Sequence, residues 1–263
     1  MSLSKIIEIL KNWTEIKFLL IVSCISLFIH STFLTHLISM MTVVQLHELG
    51  HAIVANLGGI LAIPIGVMGF TMWFSYERLY FFVFLFLCVQ VFLIYKFYKL
   101  ERSFLFIVGI CILVINIKLV FFLPLIKLHQ YISAAGLAGE IFLPMVGLSL
   151  FFFKIEDIPR WDFWKYVIAG YMTIAYVATL KMWYRIVTHQ QPLPFGSALS
   201  VDGASDTNGD LNKLVAAGWT ESSIQHFYVN SIKFSVVIIL SSAIYQLWIS
   251  FNEKSSELEN SEL

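Results

Sequence analysis

The residues best suited to chemistry are His47, Glu48 and His51, in the run His47-Glu48-Leu49-Gly50-His51. On a helix, positions i and i+4 share a face, so both imidazoles can aim a ring nitrogen at one metal ion while Glu48 projects beside them. This is the His-Glu-x-x-His zinc signature, in which two imidazoles hold the metal and the carboxylate acts as general base on the water the metal activates. The same pentapeptide can arise by chance on a core helix. Here it lies in an apolar run long enough to sit in a membrane, where two imidazoles and a carboxylate are costly and default to a functional role.

The elements that must position these groups follow from hydropathy and breakers. Residues 18 to 57 are almost unbroken apolar sequence, about twice one bilayer span, and therefore read as two helices joined by a tight turn near Ser31 and Thr32. The second, a zinc helix over about 39–57, stops at Gly58-Gly59, a C-cap signal. In residues 60–76, Pro64, Gly66 and Gly69 argue against a straight helix, and the β-branched and aromatic residues between them predict a short hairpin or re-entrant segment. Irregular backbone at membrane depth is tolerated only where it is buried in protein or lines a wet cavity, so a cavity is expected beside the zinc helix.

Further spans are predicted at about 79–97, 103–126, 131–153, 162–186 and 228–250. The expected architecture is an all-α polytopic membrane protein of about seven transmembrane helices. It reads as a single membrane-embedded domain over 1–250, with a polar loop at 188–226 and a disordered polar tail at 251–263. Four crossings separate the zinc helix from the 188–226 loop, so the loop returns to the face on which that helix ends. The first apolar run follows Lys5, Lys11 and Lys17 but lacks a small-x-small cleavage site, and it reads as a retained anchor.

Composition supports this class: 59% of residues are hydrophobic, 13% are charged, and the mean hydropathy is +0.81. With 17 basic and 17 acidic residues, no net charge points to nucleic acid as a partner. Cys24, Cys88 and Cys111 each sit in an apolar run, which argues against a disulfide framework or a Cys-rich zinc site and reads as core packing.

Catalytic zinc takes three protein ligands and leaves a fourth position open. Two sources can supply the third. One is the segment 201–214, which carries Asp202, Asp206 and Asp210 at intervals of four; the other is Glu140, inside a predicted span. An aspartate in such a segment can equally be a helix N-cap, and that is the expected role for Asp206. His30, His36, His129, His189 and His226 read as interfacial or hydrogen-bonded histidines.

Three stretches together resemble the site-2 protease family of intramembrane zinc metalloproteases. They are His47-Glu48-Leu49-Gly50-His51-Ala52 with the glycine-bearing segment after it, the span starting Ala134-Ala135-Gly136, and an Asp-Gly segment ahead of a later helix. The resemblance covers about residues 40–215 and implies that His47 and His51 bind Zn2+, that Glu48 is the base, and that a later Asp completes the site. The family's Asp-Gly pair favours Asp202, whereas Leu211, Leu214 and Val215 give Asp210 a helix to stand on, and Asp210 is the preferred ligand. Glu140 stands where the family pattern places an asparagine. It is a candidate third ligand, or with Asn208 a substrate or second-layer contact; pairing with Lys118 or Lys127 is the bland alternative.

The resemblance further implies hydrolysis of a peptide bond in or near a transmembrane helix of a membrane protein substrate, in a multi-pass protein of the bacterial cytoplasmic (inner) membrane. A non-proteolytic transporter or zinc-binding scaffold that keeps the fold, and an enzyme acting on a lipid-linked bond, are the alternatives.

Overall fold

The computed structural model describes residues 14–29, 37–38, 40–65, 70–153, 155, 160–196 and 209–261. Helix α1 is Thr14–Ile29. A π-helical turn, Met40–Val44, leads into α2, Gln45–Leu57, which carries the His-Glu-x-x-His run. Strands β1 (Ala62–Ile65) and β2 (Phe70–Trp73) follow as an antiparallel pair. Then come α3 (Tyr80–Lys99), α4 (Ser103–Ile117) with a π-helical turn at Lys118–Phe122, α5 (Leu125–Phe151), α6 (Trp161–Val187), α7 (Asp210–Ala216) and α8 (Glu221–Ser261).

Among the described residues, four helical stretches are long and apolar enough to cross a membrane: Tyr80–Lys99, Leu105–Phe122, Leu125–Phe151 and Glu221–Ile249. They coincide with four of the expected spans. The 162–186 span is a helix of the right length, α6, but it carries Asp162, Lys165, Lys181 and Arg185 and is not among these four. Of the four, the α5 stretch is enclosed by protein over 61% of its apolar window, against 11% or less for the others, which leave most of their apolar surface outside the protein.

Two compact units are built from interleaved segments. The first comprises Met1–Val44, Glu140–Leu193 and Ser222–Leu263, and the second Gln45–Gly139 and Pro194–Glu221. In the first, α1 packs on α6, tied by Lys165 Nζ to Glu15 Oε1 at 2.9 Å and by the edge contact of Tyr166 with Phe18, while Tyr166 also meets Phe151 of α5 edge-on. Trp183 of α6 stacks on Tyr228 of α8.

The second unit holds the zinc-signature helix. At its C-terminus Gly59 adopts φ +84°, the left-handed conformation the C-cap needs, and Ile60 N–H donates back to Ala55 O. The carbonyls left open at that end find donors: Arg78 binds Gly58 O, and Asn116 Nδ2 binds Leu57 O. Asn56 joins helix to hairpin, donating to Ala62 O at 2.7 Å and accepting from Ala62 N. Ala52, Ala55, Ile60, Ala62, Leu128 and Ile132 form the buried core between α2, β1 and the start of α5. There α2 and α5 cross almost backbone to backbone: a Cβ at Gly50 would lie 2.1 Å from Ala135 O, and one at Gly139 would lie 2.5 Å from Leu46 O.

Two expectations are corrected. Residues 251–261, part of the expected disordered tail, are helical, because α8 continues to Ser261; neither Gly nor Pro occurs from Glu221 onward to break it, and Glu and Lys are good helix formers. The cysteines are exposed rather than in the core, each on a helix that leaves much of its surface outside the protein. The turn expected near Ser31 and Thr32 lies outside the described residues.

Gly50→Ala should force α2 and α5 apart and cost about 1–3 kcal/mol. Thermal unfolding of the purified protein in detergent reads this as a lowered Tm; an unchanged Tm would mean that the crossing is looser than described.

Candidate metal centre

The two histidines are one turn apart on α2, and their rings meet at 80° with centroids 4.8 Å apart. Asp210 reaches both: its Oδ2 lies 2.9 Å from His47 Nε2 and 2.9 Å from His51 Nε2. One ligand atom from each residue falls within 4.8 Å of the others, and the group could hold a metal ion. A tetrahedral site with bonds of about 2.0 Å has ligand–ligand edges of about 3.3 Å, so the two Asp210–imidazole contacts at 2.9 Å are each about 0.4 Å shorter than such an edge.

Two further features fit a cation. His51 Nδ1 lies 2.6 Å from Ile132 O, which can only accept, so Nδ1 carries a hydrogen and Nε2 is the ring nitrogen turned to Asp210. A Cβ on Gly136 would lie 2.4 Å from His47 Nε2 and 2.5 Å from His51 Nε2. Any side chain on α5 at this position would collide with both nitrogens, so a glycine is what lets α5 pack against them.

Asp210 opens α7, whose cap is Gly209 without a side-chain cap bond, so the aspartate is a ligand candidate and not an N-cap. Its place is set by Asn212, whose Oδ1 accepts from Gly196 N at 2.7 Å and ties the start of α7 to the preceding loop. Leu211 and Leu214, both buried, anchor the same short helix. Burial alone would raise the Asp210 carboxyl, but hydrogen bonds and charge from His47 and His51 outweigh it and hold the group well below the usual carboxylate range.

Glu48 is half-buried beside this group and accepts a 2.6 Å hydrogen bond from Thr71 Oγ1 of β2. Glu140 does not join the ligand group. It is buried in the first unit, where Thr179 Oγ1 donates to its Oε2 at 3.3 Å. Asp202, Asp206, Asn208, His30 and His36 lie outside the described residues. His129 Nε2 lies 3.0 Å from Tyr76 O, and His189 and His226 are exposed. Sequence reading missed Thr71, the Ile132 carbonyl, Asn212 and the cradle at Gly136; only the last had a signal, the Ala134-Ala135-Gly136 run. No family model matches the chain, and no curated protein or solved structure matches it either.

Asp210→Asn and Gly136→Ala should each weaken metal affinity at least about 10-fold, while Glu140→Gln keeps it. Metal content by mass spectrometry with a competing chelator measures this. Equal retention in the first two, or loss in the third, would reassign the ligands.

Proposed function

We propose that this chain is an intramembrane zinc metalloprotease that hydrolyses a peptide bond in or near a transmembrane helix of a membrane protein substrate. The observation that carries the reading is the convergence of Asp210 Oδ2 on the Nε2 atoms of His47 and His51, with Glu48 next in the chain, in a protein with helices long and apolar enough to cross a membrane. His47, His51 and Asp210 would hold the ion. A zinc ion there supplies Lewis acidity that lowers the pKa of water to about 7 and polarises a carbonyl.

The protein's own groups do the rest. Glu48 removes a proton from the attacking water and returns it to the leaving amine. A peptide bond in a helix is shielded by its own hydrogen bonds, so the substrate must unwind first, and the β1–β2 hairpin offers a strand edge to hold it. The reading includes seven spans, with α1, α2 and α6 crossing beside the four apolar stretches, and residence in a bacterial inner membrane.

A second reading, a transporter or metal-dependent scaffold, has one observation in its favour. Glu140 is only 4% exposed within a membrane-length helix, as a proton or ion pathway would require. Metal-dependent flux in liposomes without cleavage would select it.

Glu48→Gln should keep the metal and lower cleavage of a single-span reporter by about 10²–10⁴-fold, the contribution of a positioned base. Full activity in that variant would reject the mechanism.

A further inference from the structure

Thr71 carries the one hydroxyl in the two strands of the hairpin, and it is 7% exposed. Its Oγ1 lies 2.6 Å from Glu48 Oε2 and 3.1 Å from the Glu48 backbone oxygen. A hydroxyl has one proton, and the shorter contact has the length of a charge-assisted O–H···O⁻ bond, so the carboxylate takes it. The contact joins residues 23 apart in sequence, between β2 and the first turn of α2.

From this geometry we propose that Thr71 is a positioning residue for the base: it pins one carboxylate oxygen of Glu48 and leaves the other for the attacking water. The inference rests on the proteolytic reading and adds to it a link between hairpin and base. A glutamate has three side-chain torsions, and nothing on its own helix fixes the last of them. A donor on a packed strand does. Pro64 stands opposite Thr71 in the strand register, and Asn56 fastens the start of β1 to α2, so the hydroxyl is delivered by an element already tied to the same helix. A strand that shifted β2 as it paired with the hairpin would move the base with it. Displacing a reacting group by about 1 Å costs on the order of 100-fold in rate, which sets the size of the effect.

The test uses Thr71→Val, which keeps the β-branched shape and removes the donor, and Thr71→Ser, which keeps the donor. Both are assayed with a detergent-solubilised single-span reporter bearing an Asn-Pro pair in its apolar stretch. The expected result is a fall in kcat of about 10–100-fold for Thr71→Val, with KM and bound metal unchanged, and recovery to within about threefold in Thr71→Ser. The infrared carboxylate band that disappears in Glu48→Gln should shift in Thr71→Val and return in Thr71→Ser. Wild-type kcat in Thr71→Val, an unshifted band, loss of metal, or failure of Thr71→Ser to restore activity would each overturn the inference and leave the protease reading standing. A wild-type protein that carries metal but cleaves no reporter would overturn the protease reading, and this inference with it.

Discussion

The close approach of α2 and α5 is the constraint on which the rest depends. At Gly50, Ala135 and Gly139 the two backbones come within the distance a single added methyl would occupy. In a membrane, where apolar side chains gain little by leaving one hydrocarbon environment for another, helices are held by such close packing together with hydrogen bonds between them. The same approach brings the Ile132 carbonyl to His51 Nδ1 and the backbone of Gly136 to both Nε2 atoms. Larger residues at these positions would separate the helices, and the site would lose its wall and its orienting acceptor together.

The third corner of the site reaches it by a different route. Asp210 begins a seven-residue helix too short to be stable by itself, and its anchors are Leu211, Leu214 and the Asn212–Gly196 bond. The carboxylate then serves two rings at once.

What was legible in the sequence was local. His47, Glu48 and His51 follow from one helical turn, Gly59 from the conformation only glycine adopts cheaply, and the hairpin from proline and glycine between β-formers. Asp210 was preferred over Asp202 because apolar residues behind it promised a helix, and the helix is there. What was not legible depends on partners distant in the chain. Nothing near Thr71 announces a carboxylate 23 residues earlier, and Asn212 gives no local sign of Gly196. Polarity makes the C-terminal stretch read as disordered, although neither Gly nor Pro interrupts the helix that runs to Ser261. The cysteines were misplaced because apolar surroundings in a membrane helix do not distinguish a lipid-facing position from a core one.

Two imidazoles of one helix and a carboxylate that stands 163 residues beyond His47 would together hold one metal ion. X-ray absorption at the zinc edge of the purified wild-type protein addresses it directly. The account predicts a first shell of nitrogen and oxygen alone at about 2.0–2.1 Å, with the outer scattering pattern of two imidazoles. A sulfur shell near 2.3 Å, a single imidazole, or a protein that takes up no zinc would contradict it.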